Sequence, residues 1–117
     1  STVEKQLTDY IKPQECGGHV GVRWFEISDS PAGGLAKNAR GIRIELDKPR
    51  MVTVLPVTSE ALADATHNIY VKRSGTTVVT IDAIHRGVGT ASCGPDTLDH
   101  YKIKPGTYKF TWTLTKL

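Results

Sequence analysis

From Tyr108 to Thr115 the chain alternates without a break. Tyr108, Phe110, Trp112 and Leu114 are interleaved with Lys109, Thr111, Thr113 and Thr115, and Pro105-Gly106 stands just ahead of them. A β-strand turns successive side chains to opposite faces, so this order presents aromatics to a core and Lys and Thr to water. A helix has no use for it. The pattern predicts an antiparallel sheet with one wet face, and the rest of the chain is read against that expectation.

Other segments repeat the theme. In His19–Ser28, Val20, Val22 and Trp24 share one parity and Phe25 and Ile27 the other. A phase change inside a strand is what a β-bulge, or a strand switching between sheets, produces. Ile42, Ile44 and Leu46 alternate with Arg43, Glu45 and Asp47; Asp47-Lys48-Pro49-Arg50 reads as a turn and Met51–Val57 as the returning strand of a hairpin. Pro56 marks an edge or a bulge at its end. Residues 58–66 are Ala-rich and read as a short helix or an ordered loop. Asn68–Lys72 and Thr77–Ile84, joined across Ser74-Gly75, read as a second hairpin. Residues 30–41 and 85–99 are Gly-rich loops. Six or seven strands with frequent turns predict an all-β chain, an antiparallel Ig-like β-sandwich, with a Greek-key barrel as the alternative. The 117 residues suffice for one domain spanning 1–117. Val3, Leu7 and Ile11 recur every fourth residue, so residues 1–12 form a short helix or an extended N-terminal arm.

The two cysteines, Cys16 and Cys93, lie in turn-rich ground and lack zinc spacing. They are expected to pair as one disulfide, which places the protein in the periplasm, at the cell surface or outside the cell. The start at Ser-Thr-Val fits a processed N-terminus, and the absence of an Asn-x-Ser/Thr sequon favours a bacterial secreted origin. No apolar run reaches the roughly 20 residues of a membrane helix. The net charge of +3 is spread along the chain rather than gathered into a stripe, which speaks against nucleic acid.

Chemistry is harder to find. His19, His67, His85 and His100 lie in separate segments without metal-site spacing, so no metal or cofactor is expected. Asp96 and Asp99 lack the calcium-loop pattern, and no Gly-x-Ser-x-Gly elbow occurs. The expectation is a protein that is not an enzyme. Binding is assigned to Trp24 and Tyr70 as candidate aromatic platforms and to Lys72, Arg73 and Arg86 as basic neighbours, while Trp112 has core parity.

Ile103-Lys104-Pro105-Gly106-Thr107-Tyr108, continued by the alternation to Leu114, resembles the closing strand of chaperone–usher fimbrial subunits of Gram-negative bacteria. The resemblance implies an incomplete Ig-like sandwich completed by a neighbour's N-terminal strand, with residues 1–12 as donor. The function then expected is an adhesive or structural surface subunit. It would bind a protein or glycan partner at a cell surface and form homo-oligomers by strand exchange. A secreted carbohydrate-binding or enzyme-inhibitor module and a virion structural domain are the alternatives.

Overall fold

The computed structural model describes residues 1–9, 16–30, 40–87, 91 and 94–117. These residues form an antiparallel sheet with little helix, so the chain is all-β. The strands are β1 (Gly18–Ser28), β2 (Gly41–Leu55), β3 (Val78–Ile81) and β4 (Trp112–Lys116). β2 is the spine. β1 runs along one of its edges, and β3 and β4 share the other, β3 beside Val52–Leu55 and β4 beside Ile42–Leu46.

β2 runs straight through the segment read as a hairpin turn. Trp24 pairs with Glu45, yet Val22 pairs with Arg50, so β2 spends extra residues where β1 spends one. Asp47-Lys48-Pro49 is therefore a wide bulge rather than a reversal. A carboxylate and a guanidinium close it locally. Arg50 Nε and Nη2 donate to the two Asp47 carboxylate oxygens at 2.8 and 2.7 Å, and the Lys48 amide donates to Asp47 Oδ1 at 2.9 Å. A second register shift, between His19 and Val22, coincides with Gly21 at φ +75°, a backbone angle that suits a glycine at a bulge. At Trp24–Phe25 itself the register is unbroken, so the phase change read there is ordinary alternation, and the irregularities of β1 lie ahead of Trp24.

The expected second hairpin is absent. Asn68–Tyr70 is a 3-10 turn, and of the segment after it only Val78–Ile81 pairs, with β2. Ser74 explains the path: its amide and hydroxyl both donate to the Pro56 carbonyl, at 2.9 and 3.0 Å, which ties the turn to the end of β2. The Ala-rich stretch forms α1 (Ser59–Asp64), with Thr58 Oγ1 accepting from the Ala61 amide at 3.1 Å as an N-cap. Val3–Gln6 is a 3-10 turn, while residues 10–12 of the arm lie outside the described residues.

The expected disulfide does not appear. Cys16 is a free thiol, 6% exposed, and Cys93 lies outside the described residues. Cys16 packs as a small apolar residue beside Met51, Leu55 and Val57, and its thiol faces Thr8, 3.6 Å from the hydroxyl.

The core is lopsided. Met51, Val52, Leu55, Val57, Ala65 and Cys16 are buried around the C-terminal half of β2; in the N-terminal half Ile44 is the buried one among the described residues. Trp112 and Leu114, read as core from their parity, are about half exposed. The molecule is a slab 19 Å thick with a radius of gyration of 16.1 Å, against roughly 13 Å for a compact domain of about this length. It exposes 8664 Å², where a free-standing domain of 12.8 kDa exposes roughly 6,300 Å².

Candidate functional site

The most fully built polar feature is the Asp47–Arg50 pair. Arg50 is 4% exposed. Besides Asp47, its guanidinium donates to the Ala83 carbonyl beyond β3, and it lies 5.1 Å from the centre of the Phe110 ring ahead of β4. Asp47 also binds the β4 entry through its backbone: its amide donates to the Thr111 carbonyl at 3.1 Å. Arg50, foremost, holds the Asp47 carboxyl down to about 2, and the Thr111 and Lys48 amides assist. One buried cation thus joins β2, the end of β3 and the start of β4. Sequence reasoning missed it by reading Asp47–Arg50 as an exposed turn. The available clue was an Asp and an Arg three residues apart between two apolar strands.

The residues expected to bind do not converge. Trp24 sits on the polar face of the sheet, half exposed, with the Arg43 guanidinium 4.1 Å above its ring. Arg43 in turn bonds Glu26 and Glu45, each at 2.9 Å. Those two bonds raise its pKa, Glu45 contributing most. Tyr70 and Lys72 do come together, lining an open cleft with Asp64 and Thr66 beside the end of α1. Arg73 pairs with Glu4 at 3.1 Å. Arg86 pairs with Asp96, which also bonds Lys102 Nζ at 3.2 Å, and Lys102 reaches Asp99 at 2.7 Å. The Asp96 carboxyl is held below the usual range, chiefly by the Thr97 amide and further by Lys102 and Arg86. Among the described residues no three His, Cys, Asp or Glu side chains gather as a metal site requires.

Carboxylates are therefore brought together twice, Glu26 with Glu45 and Asp96 with Asp99, and each time a single cation sits between them. Such an arrangement fixes loops and strands. It does not leave a carboxyl free to hold a proton for catalysis. A cavity of about 310 Å³ opens beneath α1, lined by Cys16, Met51, Leu55, Leu62, Val78 and Asp82 among others.

The apolar side chains in the half of the sheet where β1 and β4 flank β2 are ordered by the register. Phe25 and Leu114 both stand opposite Ile44, and Trp112 stands opposite Leu46, so these five side chains share one face. Trp24, Glu26, Arg43, Glu45, Thr113 and Thr115 share the other.

Comparison with known proteins gives the chain a family. Residues 1–114 match the family model described as beta galactosidase small chain. The chain is 27% identical over 114 residues to a beta-galactosidase of Actinobacillus pleuropneumoniae, covering 97% of this chain and 10% of that protein. It is 30% identical over 112 residues to the beta-galactosidase of Kluyveromyces lactis, covering 96% and 10%. It is also 30% identical over 102 residues to the beta-galactosidase small subunit of Latilactobacillus sakei, covering 83% and 32%. The chain thus spans about a tenth of the length of the first two relatives and about a third of the small subunit.

These matches overturn the fimbrial reading. They run along nearly the whole chain, whereas the fimbrial likeness rested on the closing strand, and a Pro-Gly-x-Tyr entry serves any strand that must leave a turn and alternate. The adhesive surface function falls with it, as do the cell-surface partner with its strand exchange and the exclusion of an enzyme, because the relatives are named beta-galactosidases. The secreted binding module, the inhibitor and the virion domain fit these relatives no better. With a family match over residues 1–114, this chain belongs to the beta galactosidase small chain family.

Proposed function

We propose that this chain is a supporting, non-catalytic part of a beta-galactosidase, an enzyme that hydrolyses terminal β-galactosides. The observation that carries the reading is the family match over residues 1–114, set beside carboxylates that are all committed where they cluster. Glycoside hydrolysis generally uses two carboxyl groups, one of them an acid with a raised pKa. Here the clustered pairs are bridged by Arg43 and Lys102, and the shifted carboxyls Asp47, Glu60 and Asp96 are all shifted downward. The acid and nucleophile are assigned to the rest of the enzyme. In this reading the described strands form one sheet, not the sandwich expected within residues 1–117, and the remainder of the enzyme supplies what faces it.

The test is co-production of this chain with the large remaining part of its enzyme, with hydrolysis of a chromogenic β-galactoside as readout. The expected result is no turnover by this chain alone and strong turnover by the pair. Turnover by this chain alone, or a large part equally active without it, defeats the reading.

A further inference from the structure

We infer that the face bearing Phe25, Ile44, Leu46, Trp112 and Leu114 is the surface through which this chain docks on the large part of the enzyme. The inference rests on the functional reading above and names the partner-binding surface within it.

Three observations lead there. First, the face is apolar and its β4 edge is open: Trp112 is 48% and Leu114 50% exposed, while Ile44 behind them is buried and Phe25 and Leu46 are half-buried. Second, the opposite face of the same strands is finished. It carries Thr113 and Thr115, and Arg43 ties Glu26 to Glu45 across Trp24. A polar face laced with ion pairs suits water, and burying it would strip those charges of solvent. Third, every residue of β4 is exposed, so among the described residues no second layer covers the outer edge of this face.

The occupant is argued from length. This chain corresponds to about a tenth of each long relative, so nine tenths of such an enzyme is available to cover it. One relative is named a small subunit, of which this chain covers 32%, so the remainder of the enzyme includes the rest of that subunit. An apolar sheet face suits such a cover. The partner surface is correspondingly apolar, with an acidic group near Lys116, which stands opposite Ile42 at the rim of the face.

The test uses this chain co-produced with the large part from the same source, read by co-purification and by hydrolysis of a chromogenic β-galactoside. Leu114→Glu and Trp112→Glu place charge on the apolar face. Thr113→Glu and Thr115→Glu place it on the polar face of the same strand. All four positions are exposed in this chain, and the milder Leu114→Ala guards against a fold defect. Expected are at least tenfold weaker co-purification and activity for the first pair, a smaller loss for Leu114→Ala, and values within twofold of the parent for the second pair. If the polar-face variants release the large part and the apolar-face variants do not, the docking face is wrong while the functional reading stands. If Leu114→Glu breaks only a dimer of this chain and leaves the large part bound, the inference is likewise overturned. If the parent chain neither binds nor supports the large part, the functional reading falls and the docking face falls with it.

Discussion

The two halves of β2 carry apolar residues at alternate positions, yet only one half is buried. Around Met51–Leu55, α1, β3, Cys16 and Val57 close over the strand. Around Ile42–Leu46, β1 and β4 extend the sheet sideways without covering it, and Ile44 is buried by its central place. Alternation therefore marks a face intended for burial. Whether that burial is completed within the chain depends on whether another layer of the same chain arrives. The Asp47–Arg50 bulge lies at the boundary between the halves and fastens one to the other.

Breaking that fastening is expected to have the largest effect. Arg50→Ala removes a buried guanidinium and strands the Asp47 carboxylate and the Ala83 carbonyl. Because Arg50 is the buried partner that joins three segments, its loss is expected to lower stability more than Asp47→Asn, Leu55→Ala, Leu114→Ala or Arg43→Gln, to be measured by urea unfolding of this chain. A cost near that of a surface substitution would show that the halves stand independently. Acid acts on the same pair. The Asp47 carboxyl is held down to about 2 from an ordinary value of 3.8, so its stabilisation is complete above about pH 4 and is lost as pH falls through the interval to about 2. Asp47→Asn should lower stability at neutral pH and flatten the fall between pH 4 and 2. An unchanged slope would place the acid sensitivity elsewhere.

Paired truncations compare the halves directly. Leu55 is 4% exposed in the packed half and Leu114 50% exposed in the open half. Leu55→Ala is expected to cost about 2–5 kcal/mol, as buried leucines do. Leu114→Ala is expected to cost about 1 kcal/mol or less in this chain, because half of the transfer gain was never made. In the assembled enzyme the gap should narrow, since the open half gains its cover. Equal costs in the isolated chain would mean that Leu114 is already buried in solution.

The same contrast explains what could be read in advance. The all-β class was legible because it depends on local pattern, the alternation along each strand, and the short helix after Thr58 was one of two readings that its Ala-rich stretch left open. The bulge at Asp47–Arg50 was not legible, since Asp, Lys and Pro in series also make a turn. What separates the two is a long-range hydrogen bond, from the Arg50 guanidinium to the Ala83 carbonyl. Asn68–Lys72 carried β-branched and aromatic residues, yet Ser74 bonds to Pro56 and takes the path away from a hairpin. Trp112 was assigned correctly to the apolar face and wrongly to an interior, because parity reports a face and not what covers it. The candidate binding residues were chosen by type alone, and Tyr70 and Lys72 are the two the fold brings into one cleft.

The smallest expected effect tests the finished face. Arg43 bridges Glu26 and Glu45 and lies over Trp24, all in contact with water. Exposed ion pairs contribute little, because solvent screens the charges and two long side chains must be held still. Arg43→Gln should therefore leave the urea midpoint unchanged within error, while the fluorescence of Trp24 shifts as its cationic neighbour is lost. Association with the large part should also be unaffected, since this face is assigned to solvent. The outcome that breaks the comparison is a release of the large part by Arg43→Gln with the fold intact. The polar face would then be the contact, its ion pairs preformed for a charged partner, and the open apolar half would need another cover.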